Sequence, residues 1–326
     1  MKAFRPRDLI LTKENLWFAV ADYRHPPGRV NAFLRYVPSG GSYRKVRFVS
    51  ESFRFLERKF PKYLMDERRY GIRLQAVPCG RIRDVVTPRG ALAAAFGRGG
   101  GNAVPEACVL ARLLSQESGV SLRQLGITGS LAAGAGNKAS DIDIVTYGLH
   151  NFKLVRLAAG RLLGEGVIAP LSDSIIRKAY HSKGYPGIFK YDEFRAGMLN
   201  KHNSFMFRGR KADLMCVRLR REIGGCRMQH SRQLAGRLTV KAMVTDDALA
   251  FDSPAVYKIK SGNHPQIREV VSYRNAYAGQ AVKGDAVIVS GALEEVREHG
   301  GKPWQRLVVG TMREREEYIR RLPKAG

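Results

Sequence analysis

The stretch Gln124 to Tyr147, QLGITGSLAAGAGNKASDIDIVTY, decides how the rest of the chain is read. A short apolar run ends at Gly129-Ser130, ten small and flexible residues follow, and Asp141-Ile142-Asp143-Ile144-Val145 opens a second run rich in β-branched residues. The pattern predicts a strand, a turn able to cradle a phosphate, and a second strand. Residues two apart on a strand point to one face, so Asp141 and Asp143 project together while Ile142 and Ile144 enter the core behind them. Such a pair suits a hard divalent cation, whose preferred ligands are oxygens. Taken alone, an Asp-x-Asp also fits an exposed strand face. Glycine lets the backbone approach an anion, and the amides that begin the turn, with the Ser130 hydroxyl, supply donors for it.

Downstream, Arg210-Lys211-Ala212-Asp213-Leu214-Met215-Cys216-Val217 offers a further acid, the only one inside a strand-like apolar run after the pair. Gly-Ser, ten residues, then Asp-x-Asp flanked by apolar residues resembles the signature of the DNA polymerase beta nucleotidyltransferase superfamily, over roughly Val104 to Arg221. The resemblance implies a mixed sheet with helices on one face, Asp141, Asp143 and Asp213 as catalytic metal ligands, and magnesium or manganese as the ion. It also implies that Gly129 and Ser130 bind a nucleoside triphosphate, whose nucleoside monophosphate passes to an acceptor hydroxyl. A helix over Asp192 to Lys201 is expected to carry Arg195 and Lys201 towards the strand of Asp213. Either of these, or Arg208 or Arg210, would serve as a triphosphate ligand, and the sequence does not choose among them. Lys138 reads as a solvated loop lysine that could reach a phosphate. His181, His202 and His230 lack a metal-binding spacing.

The charge of the chain is unusual. A net charge of +27 on 326 residues predicts attraction to polyanions. Residues 1 to 90 carry +12, residues 91 to 233 carry +11 and residues 234 to 326 carry +4, so the basic surface belongs mainly to the first two thirds. A merely solvated Arg-rich surface is the competing explanation. The four cysteines, Cys79, Cys108, Cys216 and Cys226, form no C-x-x-C pair, which points to reduced thiols rather than a zinc site or a disulfide framework. With no apolar run of membrane length and charges from Lys2 onwards, the expected location is the cytoplasm.

The chain divides into three expected domains: an N-terminal α/β domain over 1–88, a nucleotidyltransferase domain over 89–225, and a small barrel over 234–326, giving an α+β multi-domain protein. In the first, Leu16 to Val20 and Val30 to Val37 read as strands joined by His25-Pro26-Pro27-Gly28, Ser52 to Leu64 as a basic helix that Pro61 can break, and Tyr70 to Val77 as another strand. The Trp17 to Val20 run, His25-Pro26 and Arg35-Tyr36-Val37-Pro38 resemble the leading part of archaeal predicted nucleotidyltransferases. In the second, Thr87-Pro88 opens a helix, Pro105 to Ser118 forms one with a Val109, Leu110, Leu113, Leu114 stripe, and Asn151 to Leu163 forms another through Leu154, Leu157, Ala158 and Leu162. Ile176 to Tyr191 interleaves cations with Tyr180, Tyr185, Phe189 and Tyr191, a composition that fits base stacking as well as it fits a loop anchored by its rings.

Past Gly224-Gly225, five short strands are expected at Arg237 to Val244, Ala255 to Ile259, Ile267 to Tyr273, Ala286 to Leu293 and Arg306 to Val309. Five strands in about 75 residues fit a barrel of the oligonucleotide-binding kind, with Tyr257, Tyr273, Tyr277 and Trp304 as stacking candidates. Thr311 to Leu322 alternates Arg and Glu and reads as a closing helix that packs through Met312, Tyr318 and Ile319. The function expected is metal-dependent nucleotidyl transfer to RNA or DNA, with RNA favoured. Two readings compete with it: an enzyme that nucleotidylates a protein or small molecule, and a nucleic-acid binder that keeps the fold without the chemistry.

Overall fold

The computed structural model describes residues 4–67, 72–98, 105–137, 140–182, 187–223, 229–298, 301–310 and 316–322. The chain folds as two compact units, the first from 1–67, 72–170 and 202–219, the second from 171–201 and 220–326 together with the short segment 68–71.

The first unit begins with strands β1 (Leu9–Thr12), β2 (Trp17–Val20), β3 (Arg29–Ser39) and β4 (Ser42–Lys45), helix α1 (Val49–Lys59), and strands β5 (Leu64–Glu67), β6 (Ile72–Pro78) and β7 (Ile82–Val86). The strands form one antiparallel sheet in the order β5-β6-β3-β2-β1-β7, with β4 folded back on β3. One face packs Ile10, Phe18, Leu34 and Val77 against Leu56 of α1 and against Tyr63. Helix α1 ends before Pro61, whose missing N–H cannot continue the ladder. The Gln75 side chain ties it to the sheet, accepting from Leu34 N at 2.8 Å and donating to Ser52 Oγ at 2.7 Å.

Helices α2 (Pro88–Arg98) and α3 (Glu106–Ser118) lead into β8 (Leu125–Ile127), the one-turn helix α4 (Gly129–Ala132), β9 (Ile142–Tyr147) and helix α5 (Leu149–Gly164). Phe152, Val155, Ala158, Ala159 and Leu162 of α5 are buried, whereas Leu157, expected in the apolar stripe, is exposed. Helix α5 packs on α3, β9 and the later strand of Asp213. After helices α6 (Asp173–Ser182) and α7 (Tyr191–Leu199), which belong to the second unit, the chain returns as β10 (Ser204–Phe207) and β11 (Arg210–Val217). The second sheet of the first unit runs β10-β11-β9-β8, with β9 and β11 parallel and the outer pairs antiparallel.

Residues on both sheets of this unit are linked. Leu9, Trp17 and Tyr36 of the first sheet form a cluster with Ala133, just after α4. Thr128 Oγ1 donates to the Arg7 carbonyl at 2.8 Å, and Arg218 N donates to Tyr23 Oη at 2.8 Å.

The second unit contains β12 (Gln229–Leu249), β13 (Ala255–Lys260), β14 (Ile267–Ser272), β15 (Ala286–Glu298), β16 (Trp304–Val309) and β17 (Tyr318–Arg321). The first five close into a ring, β12-β13-β14-β16-β15 and back to β12, with β14 and β16 parallel. The five expected strands are therefore present and form a barrel. Of the expected closing helix, the part that is described differs: Tyr318–Arg321 is a strand paired antiparallel to β15, and residues 311–315 lie outside the described residues. Free backbone groups along the β15 edge capture this segment, so the tertiary pairing overrides its helical composition. Among the described residues no helix is long and apolar enough to cross a membrane.

Candidate active site

The register of two parallel strands builds the site. Asp213 on β11 is the direct partner of Asp143 on β9, and Ala212 is the partner of Ile142. Direct partners on neighbouring strands share a face, so the two carboxylates stand side by side. Ile142, Ile144, Ala212 and Leu214 lie on the opposite face and are fully buried. Two residues back along each strand are Asp141 and Lys211, whose charged groups are 4.0 Å apart. One sheet face therefore presents three carboxylates and an ammonium. The Lys211 ammonium also pairs with Asp213, whose other oxygen accepts from Ser204 Oγ at 2.5 Å.

Crowding these charges has consequences. Asp143 has its pKa pushed up to about 6, first by burial and then by the neighbouring Asp213, with Lys211 and Arg7 opposing. Burial works against the Lys211 ammonium, but the attraction of Asp213 and the other two acids outweighs it and the pKa of Lys211 rises.

The Gly129 turn is pressed onto this cluster. Gly129 adopts φ +70°, a conformation that favours glycine, and a Cβ added there would collide with Asp143 Oδ2. Thr128 N donates to the Asp143 carbonyl at 3.1 Å, which fixes the turn against β9. Ser130 follows on α4, half-buried, its carbonyl accepting from Ala135 N at 2.9 Å. Lys138 lies outside the described residues.

Arg210 holds the approach to Asp141. Its guanidinium donates twice to the Ser140 carbonyl, at 3.0 and 2.5 Å, and pairs with Glu106 at the start of α3 at 2.9 Å. These contacts make Arg210 a positioning residue rather than the triphosphate ligand among the four cations considered. Arg208 sits in the β10–β11 turn with its guanidinium 5.4 Å from the Phe207 ring.

Arg195 and Lys201, the other expected triphosphate ligands, belong to the second unit, on and just after α7. Arg195 lies 3.5 Å from Asp173, and the buried Lys201 donates to the Ala276 carbonyl at 2.7 Å. The rings of Ile176 to Tyr191 that are described serve as anchors: Tyr180 Oη donates to the Phe189 carbonyl at 2.6 Å and its ring packs on Tyr191 and Phe194. Tyr185 lies outside the described residues. Of the four barrel rings offered for stacking, Tyr257, Tyr277 and Trp304 are core residues, and Tyr273 alone is exposed, at 53%.

The N-terminal sheet supplies cations that the sequence did not connect with the acids. Arg7, at φ +77°, lies in the field of Asp143 and Asp213, and burial lowers its pKa against their attraction. Lys45 lies in the field of Asp143 and Asp141, its pKa lowered by burial and by Arg35. The Lys211-x-Asp213 spacing was the one available signal for Lys211, since residues two apart share a strand face. Nothing local pointed to Arg7 or Lys45, which arrive through tertiary packing.

The donor set of the three acids is all oxygen and suits a hard cation. The raised pKa of Asp143 fits it too, because a nearby cation relieves the repulsion from Asp213. Among the described residues no group of three His, Cys, Asp or Glu side chains is already arranged to hold an ion, since Asp213 is turned towards Lys211.

The uncharacterized protein MJ1086 of Methanocaldococcus jannaschii is 34% identical to this chain over 334 residues, spanning 97% of this chain and 98% of its own. No family model matches the chain. No solved structure matches it.

Proposed function

The chain belongs to the same family as the archaeal protein MJ1086, and on the geometry of its own acids we propose that it is a metal-dependent nucleotidyltransferase acting on nucleic acid. The observation that carries this reading is the pairing of Asp213 with Asp143 in register on adjacent parallel strands, with the Gly129 turn against the same carboxylate. Asp141 and Asp143 would hold magnesium or manganese, and Asp213 would complete the ion on the acceptor side. Ions held there would supply neutralisation of charge on the triphosphate's phosphates, worth several kcal/mol of barrier, of the order metal assistance supplies.

The chain's own residues do the rest. Gly129 and Ser130 bind the triphosphate, and the missing Cβ of Gly129 lets their turn lie directly against Asp143. Asp213 is oriented by Ser204 and takes part in removing the proton of the acceptor hydroxyl as its oxygen attacks the α-phosphorus. The bond from the α-phosphorus to the bridging oxygen breaks, and pyrophosphate leaves. Lys211 holds the carboxylates together before substrate arrives and must release Asp213 for the ion to bind. A net charge of +27 and the five-stranded barrel, read as one of the oligonucleotide-binding kind, favour RNA, or else DNA, as acceptor.

The Lys211 ion pairs specifically favour one competing reading, a nucleic-acid binder in which the lysine has replaced the ion for good. Incubation with each triphosphate labelled at the α-phosphate, with magnesium or manganese and with total RNA, single-stranded DNA or protein extract, separates the readings. Label transferred to RNA by the wild type and not by Asp141→Ala/Asp143→Ala supports the proposal. Transfer to protein instead would move the acceptor, and salt-sensitive nucleic-acid binding without any transfer would leave the non-catalytic reading.

A further inference from the structure

Outside the acid cluster, the segment from β4 through α1 is rich in cations. Residues 44–59 contain Arg44, Lys45, Arg47, Arg54, Arg58 and Lys59 against only Glu51 and Glu57. Arg44, Glu51, Arg54, Phe55, Arg58 and Lys59 line a groove of about 570 Å³. Both acids are already engaged, Glu51 with Arg44 at 2.5 Å and Glu57 with Arg73 at 2.8 Å. Among the described residues no carboxylate pairs with the guanidinium of Arg47, Arg54 or Arg58, although the Arg47 backbone N–H donates to Glu51 at 3.2 Å.

Apolar groups stand exposed at the start of α1, directly after Arg47 in the chain. Phe48 is 65% exposed and Val49 58%, at the start of α1, where the first turn has no side-chain cap. Burying them would have stabilised the fold, so leaving a ring in water next to unpaired cations is the composition of a surface that stacks bases and follows a phosphate backbone. The helix itself is fixed from beneath by Leu56 and by the Ser52–Gln75 hydrogen bond, so the surface is preformed.

Strand β4 joins this groove to the acids. Successive strand residues point to opposite faces, and Arg44 pairs with Glu51 on α1 while Tyr43 and Lys45 lie on the other side. Tyr43, on the same side as Lys45, packs against Trp17 next to the residues that follow α4.

We propose that the groove between β4 and α1 binds single-stranded nucleic acid and leads its end, across β4, to the acids. That the strand is the acceptor rests on the nucleotidyltransferase reading; that it binds here rests on the groove alone.

The test is binding of a fluorescently labelled single-stranded 20-mer, as RNA and as DNA, and of the matching duplex, to the full chain across a range of salt. Arg54→Glu/Arg58→Glu/Lys59→Glu alters only exposed side chains, and circular dichroism and the melting temperature check that it folds. The wild type is expected to bind the single strands more tightly than the duplex. The triple variant is expected to lose at least tenfold in affinity, with the slope of log K against log salt shallower by about 2, as expected when three phosphate contacts are lost. Phe48→Ala is expected to lose about fivefold or more, since its ring stacks a base. Equal affinity and slope in wild type and triple variant, or a preference for duplex, would overturn the proposal. So would a wild type that binds no single strand at low salt. Magnesium-dependent triphosphate binding, measured in parallel by calorimetry, tells the two failures apart: if it persists, the groove proposal has failed while the reading of the acids stands.

Discussion

At the residue scale, the account turns on Asp143. Its pKa of about 6 in the fold exceeds the ordinary aspartate value near 4, so the native state binds the extra proton between those values. The resulting contribution to stability is fully present below about pH 4 and is lost as pH rises through about 6, amounting to about 3 kcal/mol in the metal-free protein. Asp143→Asn should remove this dependence, as read from melting temperatures across pH 4 to 8, and a wild type with no such slope would contradict the assignment. Because an ion competes with the proton, magnesium affinity measured by calorimetry should weaken as pH falls below about 6. Gly129→Ala should destabilise the protein by about 2 kcal/mol through its positive φ and its clash with Asp143, a loss read in a urea titration. Lys211→Met should lower the melting temperature at pH 7, since it leaves three acids uncompensated, and millimolar magnesium should restore it. The pairing of Asp141 and Asp143 on one face was legible, because strand alternation is local. The nearness of Asp213 came only through the family resemblance, and Lys211 was overlooked although it has the same spacing to Asp213 as Asp141 has to Asp143.

At the scale of elements, one buried ion-pair cluster spans three strands of the barrel. Arg306 on β16 donates to Glu294 on β15 at 2.8 Å and lies 3.6 Å from Glu269 on β14, so one guanidinium spans three strands. Glu294 is nearly fully buried, and Arg306→Met would strand its charge there. That change should cost about 3 kcal/mol, as the loss of one partner of a buried pair does, measured by chemical denaturation. The five barrel strands were legible from turn residues and β-branched runs, because both signals are local. Within the final segment, Tyr318–Arg321 was misread because its two apolar residues followed by two arginines fit the end of a helix as well as an edge strand. Pairing with Val287 to Ser290 decides between them, and no local feature reports it. The same limit applied to Tyr257, Tyr277 and Trp304, whose burial depends on where the barrel closes.

At the scale of the whole molecule, the first unit joins a sheet rich in cations to a sheet that carries the acids. The sequence located the excess charge in the first two thirds of the chain but not its use, because the links from Arg7 and Lys45 to Asp143 span more than ninety residues. Packing of the Gly129 turn against Leu9, Trp17 and Tyr36 brings the cations of one sheet to the carboxylates of the other. The most direct measurement of the central claim is a crystal structure of the protein with manganese and a non-hydrolysable nucleoside triphosphate, read by the anomalous signal of the metal. The account predicts manganese bound by Asp141, Asp143 and Asp213, with the triphosphate at Gly129 and Ser130 and the Lys211 ammonium displaced from Asp213. Density with Lys211 still paired to Asp213 and no manganese at the three acids would contradict it.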